Sequence, residues 1–175
     1  MIAIRKYNEI GSAWLGALNW EESAAALAKF PVVIPLGGAA IEHGPHLPYD
    51  TDLVIASALV DAVAEQIPIL VAPPIDYVYI PDIVGRGATL SLSADGFIGL
   101  VSEVIRSLAR HSARHVLIVA RGESTLAPLQ IVSREMHQEF GITVAIASEA
   151  GLAHDVRGSI LTNPTGGHAG EAETS

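Results

Sequence analysis

The chain predicts an α/β domain of three layers, a mainly parallel central sheet with helices on both sides. Two observations carry this expectation. Four short, nearly unbroken apolar runs, around Val32, Ile69, Val116 and Ile142, alternate with longer stretches whose apolar residues recur at helical spacing. The short runs also lack in–out alternation, the mark of strands covered on both faces, as parallel strands are. With 175 residues, half of them hydrophobic, a single domain spanning 1–175 is expected on the usual scale of roughly 100–200 residues per domain.

In order, the chain opens with a segment of little periodicity. A helix is then expected over Trp20–Phe30, where Asn19 caps and Glu22 stands in position to return the bond, a capping box. Val32–Leu36 is the first strand. Leu53–Ile67 is a helix so rich in Ala, Val and Leu that most of its circumference needs cover, from the sheet and from a further layer or subunit. Pro68 stops it and Ile69–Ala72 is the second strand. From Asp76 to Leu92 runs a long apolar loop, read as a lid or subunit contact. Asp95 or Ser93 caps a helix over Gly96–His111, Val116–Ala120 is the third strand, and Leu126–Phe140 is a helix ended by Gly141. Ile142–Ala147 is the fourth strand. His111, His115 and His137 read as residues of helix ends, turns and solvated faces. The tail, Ser148–Ser175, holds His154 and a glycine-loosened run in which His168, Glu171 and Glu173 crowd together.

The net charge of −9, with no basic cluster, argues against nucleic acid or an anionic membrane as partner and leaves small molecules or proteins. The chain has no cysteine, so any metal must be held by His, Asp or Glu. Met1-Ile-Ala-Ile-Arg-Lys lacks the apolar core of a signal peptide, and no apolar run reaches the ~18 residues of a membrane span uninterrupted by charge, so a cytoplasmic location is expected. Neither Gly-x-Gly-x-x-Gly after a strand nor Gly-x-Ser-x-Gly is present, which ranks the dinucleotide and serine-hydrolase readings lower.

Chemistry concentrates in the segment Pro35–Asp52, at the carboxyl end of the first strand, where open α/β sheets place their ligands. Pro45 and Pro48 stiffen it, and between the rigid points stand Glu42, His43, His46, Asp50 and Asp52. This mixture of imidazole and carboxylate suits zinc or a similar divalent ion. The same residues also fit a plainer pattern, with Asp50 or Asp52 capping the following helix and the histidines on a surface turn.

Glu42-His-Gly-Pro-His-Leu-Pro followed by Thr51-Asp52, with His168-Ala-Gly-Glu-Ala-Glu-Thr-Ser near the end, resembles the creatininase (creatinine amidohydrolase) family. The resemblance covers nearly the whole chain, with Ala127-Pro-Leu-Gln falling in order between the two motifs. It implies an α/β protein, commonly a homo-oligomer and often a hexamer, that binds two divalent metals, usually zinc though manganese or iron can serve. The implied reaction is hydrolysis of a carbon–nitrogen bond in a small cyclic or linear amide. Members of the family normally continue well past Glu-Thr-Ser, so their C-terminal elements are expected to be missing here.

Carried over residue by residue, the resemblance makes His43 and Asp52 metal ligands, with Asp52 bridging, and Glu173 a third. His46 matches a second histidine and is expected, with Arg121, on the substrate side, while His168 matches the catalytic histidine. The chain departs from the family pattern at two ligand positions. Ile41 stands where the family has a glutamate, and the nearest acid, Glu42, is adjacent to His43, so in an extended segment it points to the opposite side unless the backbone bulges. After the third strand Gly122 stands where the family has a histidine, Glu123 offers an oxygen one residue on, and Arg121 brings a charge that opposes a dication. Two functions follow from this. One is a metal-dependent amidohydrolase with one metal or a rearranged pair, using His43, Asp52, Glu173, Glu42 and Glu123 as candidate ligands and His168 as proton carrier. The other is a non-catalytic subunit or binding protein of the same fold, with no metal.

Overall fold

The computed structural model describes residues 6–148, 158–163 and 167–174. Its sheet has five strands: β1 (Ala13–Trp14), β2 (Val32–Leu36), β3 (Leu70–Val71), β4 (His115–Ala120) and β5 (Thr143–Ser148). They lie in the order β1-β3-β2-β4-β5, and every neighbouring pair is parallel. The helices are α1 (Trp20–Lys29), α2 (Thr51–Ala64), α3 (Ala94–Arg110) and α4 (Leu126–Phe140), with a helical turn at Glu171–Thr174.

Alternate strand residues face two separate cores, which is what makes three layers. Val32, Ile34, Leu36, Val116, Ile118 and Val144 pack with α1, α3 and α4, whose Leu27, Phe97, Ile105 and Met136 fill one side. Val33, Val71 and Val119 face the other way onto Val60 and Ala64 of α2. On α2 the buried residues Asp52, Ala56, Val60 and Ala64 recur every fourth position, while Val54 and Leu59 remain exposed. Among the described residues nothing covers that outer side.

The sequence signals mostly landed where expected. Asn19 accepts from the Glu22 amide and Glu22 from the Asn19 amide, each at 3.0 Å, a closed capping box. Ser93, rather than Asp95, caps α3, accepting from the Gly96 amide. Gly141 ends α4 in the left-handed conformation.

Two expectations need correction. The sheet has five strands instead of four, because β1, only two residues long, is too short to show a period. It is held at the edge by β3 and by Ser12, whose hydroxyl reaches the carbonyls of Ala64 and Ile67 at 2.8 and 2.9 Å and accepts from the Ile69 amide. The Ala64 carbonyl, in the last turn of α2 where helical partners run out, also accepts from Asn8 Nδ2 at 2.8 Å. Helix α2 also begins at Thr51 instead of Leu53 and ends at Ala64 instead of Ile67. The Thr51 amide and hydroxyl both donate to the Pro48 carbonyl, which starts the helix early. Asp50 stands at the cap position but makes no side-chain bond to the helix, and Asp52 lies inside the first turn, so neither carboxylate caps it.

Candidate metal centre

The carboxyl ends of β4 and β5 and the first turn of α2 open onto a cavity of about 300 Å³, reached by Asp52, Ala120, Arg121, Ser148, His168 and Glu173. Its construction starts at Gly37, just past β2. A Cβ there would lie 2.5 Å from the Asp52 carbonyl, so only glycine lets the first turn of α2 close onto the strand end. That contact fixes where Asp52 stands.

His43 is completely buried. Its Nδ1 lies 2.9 Å from the Ile41 carbonyl, and since a carbonyl only accepts, Nδ1 carries the hydrogen. In the neutral ring this leaves Nε2 as a lone pair, 3.5 Å from Asp52 Oδ1 and with no hydrogen-bond partner. Burial disfavours the imidazolium, but Asp52, the Ile41 carbonyl and the more distant Glu173 outweigh it and hold the His43 pKa above its ordinary value. For Asp52 burial favours the neutral acid, yet His43 and Arg121 outweigh it and hold its carboxyl below the usual range.

Arg121, 8% exposed at the end of β4, ties the cluster together. Its Nε donates to Asp52 Oδ1 at 3.4 Å and its Nη2 to Glu173 Oε1 at 2.8 Å. The other Glu173 oxygen accepts from the Ala169 amide at 2.6 Å. His168 stands beside His43, ring centroids 4.5 Å apart, and its Nε2 donates to the Glu42 carbonyl.

Donor atoms of His43, His168 and Glu173 all lie within 4.8 Å of one another, the spacing a single divalent ion needs. The donor chemistry fits as well: two imidazoles and a carboxylate, one imidazole nitrogen buried and unpaired. The other expected residues are placed as follows. Asp52 lies against His43 and Arg121, outside that convergent set. Glu42 turns its Oε1 back to the Gly44 amide at 2.6 Å and its Oε2 lies 3.7 Å from His168. Glu123 is exposed on the cavity wall. His46 is exposed, its Nε2 3.1 Å from the Thr174 hydroxyl. Glu171 faces away, its two oxygens taking the amides of Thr162 and Asn163. His154, Gly166 and Ser175 lie outside the described residues.

Both departures from the family pattern have structural counterparts. Ile41 is 1% exposed and packs in the larger core, within reach of Gly38 and Val78. Gly122 has φ +89°, and a Cβ there would lie 2.9 Å from Ile80 Cδ1, so a side chain is strained as well as crowded. The cavity wall that sequence reading missed comes from the long loop: Ile80, Asp82 and Ile83, with Ser124 donating to Asp82 at 3.0 Å. A lone acid in a short 3-10 turn carries no signal of its own.

Comparison with known proteins gives a consistent answer. Residues 16–175 match the family model described as creatininase, creatinine amidohydrolase. A creatinine amidohydrolase of Pseudomonas putida is 34% identical over 114 residues, 62% of this chain and 44% of that one. A mycofactocin precursor peptide peptidase of Mycobacterium tuberculosis is 34% identical over 155 residues, 82% of this chain and 56% of that one. The chain therefore spans about half the length of the curated relatives it matches. Among solved structures, a manganese form of creatininase superposes with a TM-score of 0.78 at 26% identity, covering 93% of this chain and 70% of that one. With its motifs, fold and family match in agreement, the chain belongs to the creatininase family.

Proposed function

We propose that this chain is a metal-dependent amidohydrolase that cleaves a carbon–nitrogen bond, with one divalent ion held by His43, His168 and Glu173. The observation that carries this reading is His43, wholly buried, its Nδ1 spent on a carbonyl and its Nε2 without a hydrogen bond beside two further donors. A buried polar atom without a partner costs on the order of 1–3 kcal/mol, a cost that coordination removes. A divalent ion on three protein donors with an open position lowers the pKa of a water toward neutrality and polarises an amide carbonyl. Zinc is the expected ion, and manganese or iron suits the same donors.

The chain's own residues supply the rest. The Ile41 carbonyl orients the His43 ring and fixes its tautomer. Arg121 and the Ala169 amide hold the Glu173 carboxylate in place. His168 is the most exposed of the three donors and lines the cavity, so an ion held there would be open to a substrate from that side. At about 300 Å³ the cavity admits a small cyclic amide or the end of a peptide, the two kinds of compound named for the relatives. Because His43 must be neutral to bind, metal uptake falls as pH drops.

One observation favours a second reading, a non-catalytic subunit of the same fold. Arg121 already neutralises Asp52 and Glu173, so those carboxylates exert less pull on an added cation. Protein purified without chelator separates the two. About one equivalent of zinc, manganese or iron, with hydrolysis of creatinine, a formamide or a short peptide, supports the amidohydrolase; metal-free and inactive protein supports the subunit.

A further inference from the structure

We infer that Arg121 stands in for a second cation: its guanidinium, set between Asp52 and Glu173, carries the positive charge another metal ion would bring, so the centre takes one ion and no more. This rests on the one-ion reading above. Hydrolases that use a metal pair hold it with carboxylates that face both ions, each of which needs its own further donors. Here the further donors are missing on two sides. Ile41 is packed into the core and has no oxygen to offer, and Gly122 has no side chain in a conformation that resists one.

The space between the two carboxylates is instead filled by a planar cation. Arg121 reaches Asp52 Oδ1 at 3.4 Å with Nε and Glu173 Oε1 at 2.8 Å with Nη2, and is nine-tenths buried while doing so. Guanidinium keeps its charge at every physiological pH, and its fork of donors matches carboxylates in direction as well as in charge. A dication placed between the same carboxylates would meet that charge at contact distance in a poorly screened site. The arrangement also accounts for why two acids, Asp52 and Glu173, stand together in a largely buried site.

The test is calorimetric titration of the chelator-stripped full chain with Mn²⁺, with bound metal counted by elemental analysis. The wild type and Arg121→Lys, which keeps the charge, should saturate at one ion per chain. Arg121→Ala and Arg121→Gln, which remove it, should take up a second ion on Asp52 and Glu173, more weakly than the first because Ile41 and Gly122 add no donor, and Arg121→Ala with Asp52→Asn should return to one. A second ion in the wild type overturns the inference without any variant needing to fold, and so does saturation of both neutral variants at the wild-type ratio. An empty wild type alongside metal-binding neutral variants would uphold the role of Arg121 while removing the native one-ion reading. No ion in any of the proteins would sink both.

Discussion

The segments that follow β2 and β4 meet where Asp52 faces Arg121, and they contribute opposite things. The first, stiffened by Pro45 and Pro48, delivers a buried imidazole and leads into the helix that carries Asp52. The second delivers a buried cation in Arg121, no side chain at Gly122 and an exposed acid in Glu123. One loop therefore supplies donors and the other supplies charge that competes with a metal for those donors. A family motif read on one side of a crevice says nothing of the counter-charge that arrives from the other.

The largest expected effect falls on the residue both loops share. Asp52→Ala removes one of the two carboxylates that neutralise the buried Arg121, together with the charge 3.5 Å from His43 Nε2, and should cost about 3–5 kcal/mol in urea unfolding of metal-free protein. Glu123→Ala, exposed on the second loop, should change stability by less than about 0.5 kcal/mol. Equal losses would mean that the two loops do not differ in this way. For metal, the contrast should be as wide: His43→Ala is expected to weaken zinc binding by about 100-fold or more, beyond the range of an outer-shell change, and Glu123→Ala to leave it within about twofold, as read by competition with a chelating dye.

Backbone strain gives the next effect. Gly122→Ala places a Cβ at a positive φ and against Ile80, so a loss of about 1–2 kcal/mol is expected in thermal or chemical unfolding. A neutral result would show that the second loop relaxes freely. Acid and base should then act on the metal-free protein from opposite sides. The Asp52 pKa is lowered on folding, so its contribution is present above the unfolded value of about 3.9 and disappears as pH falls below it. The His43 pKa is raised, so its contribution is complete below about 6.5 and is lost as pH climbs through the folded value. Melting temperature should therefore be highest between about pH 4 and 6.5, and Asp52→Asn should flatten both limbs. Smallest of all, His46→Ala should move stability by under about 0.5 kcal/mol, since that ring is exposed and its Nε2 bonds the Thr174 hydroxyl at the surface.

How much could be read in advance differs element by element. The box at Asn19 and Glu22, the stripe on α3 and the stop at Gly141 are local, set by residues three or four apart, and each stood where expected. β1 was missed because a two-residue strand owes its existence to β3 and Ser12, distant in sequence. The start of α2 was displaced because the Pro48 carbonyl captured both donors of Thr51. At the site, His43 and Asp52 were legible from one segment, whereas Asp82 on the cavity wall was not.

Covalent order was enough to specify four of the five strands and the four longer helices, that no thiolate exists to hold a metal, and which imidazoles and carboxylates are at hand, because these follow from composition and short-range periodicity. Whether a given donor is free for a ligand depended on folding. His43 Nε2 is left without a hydrogen bond and Asp52 on α2 is engaged by the arginine that follows β4, because hydrogen bonds and charge act through space across 69 positions of chain.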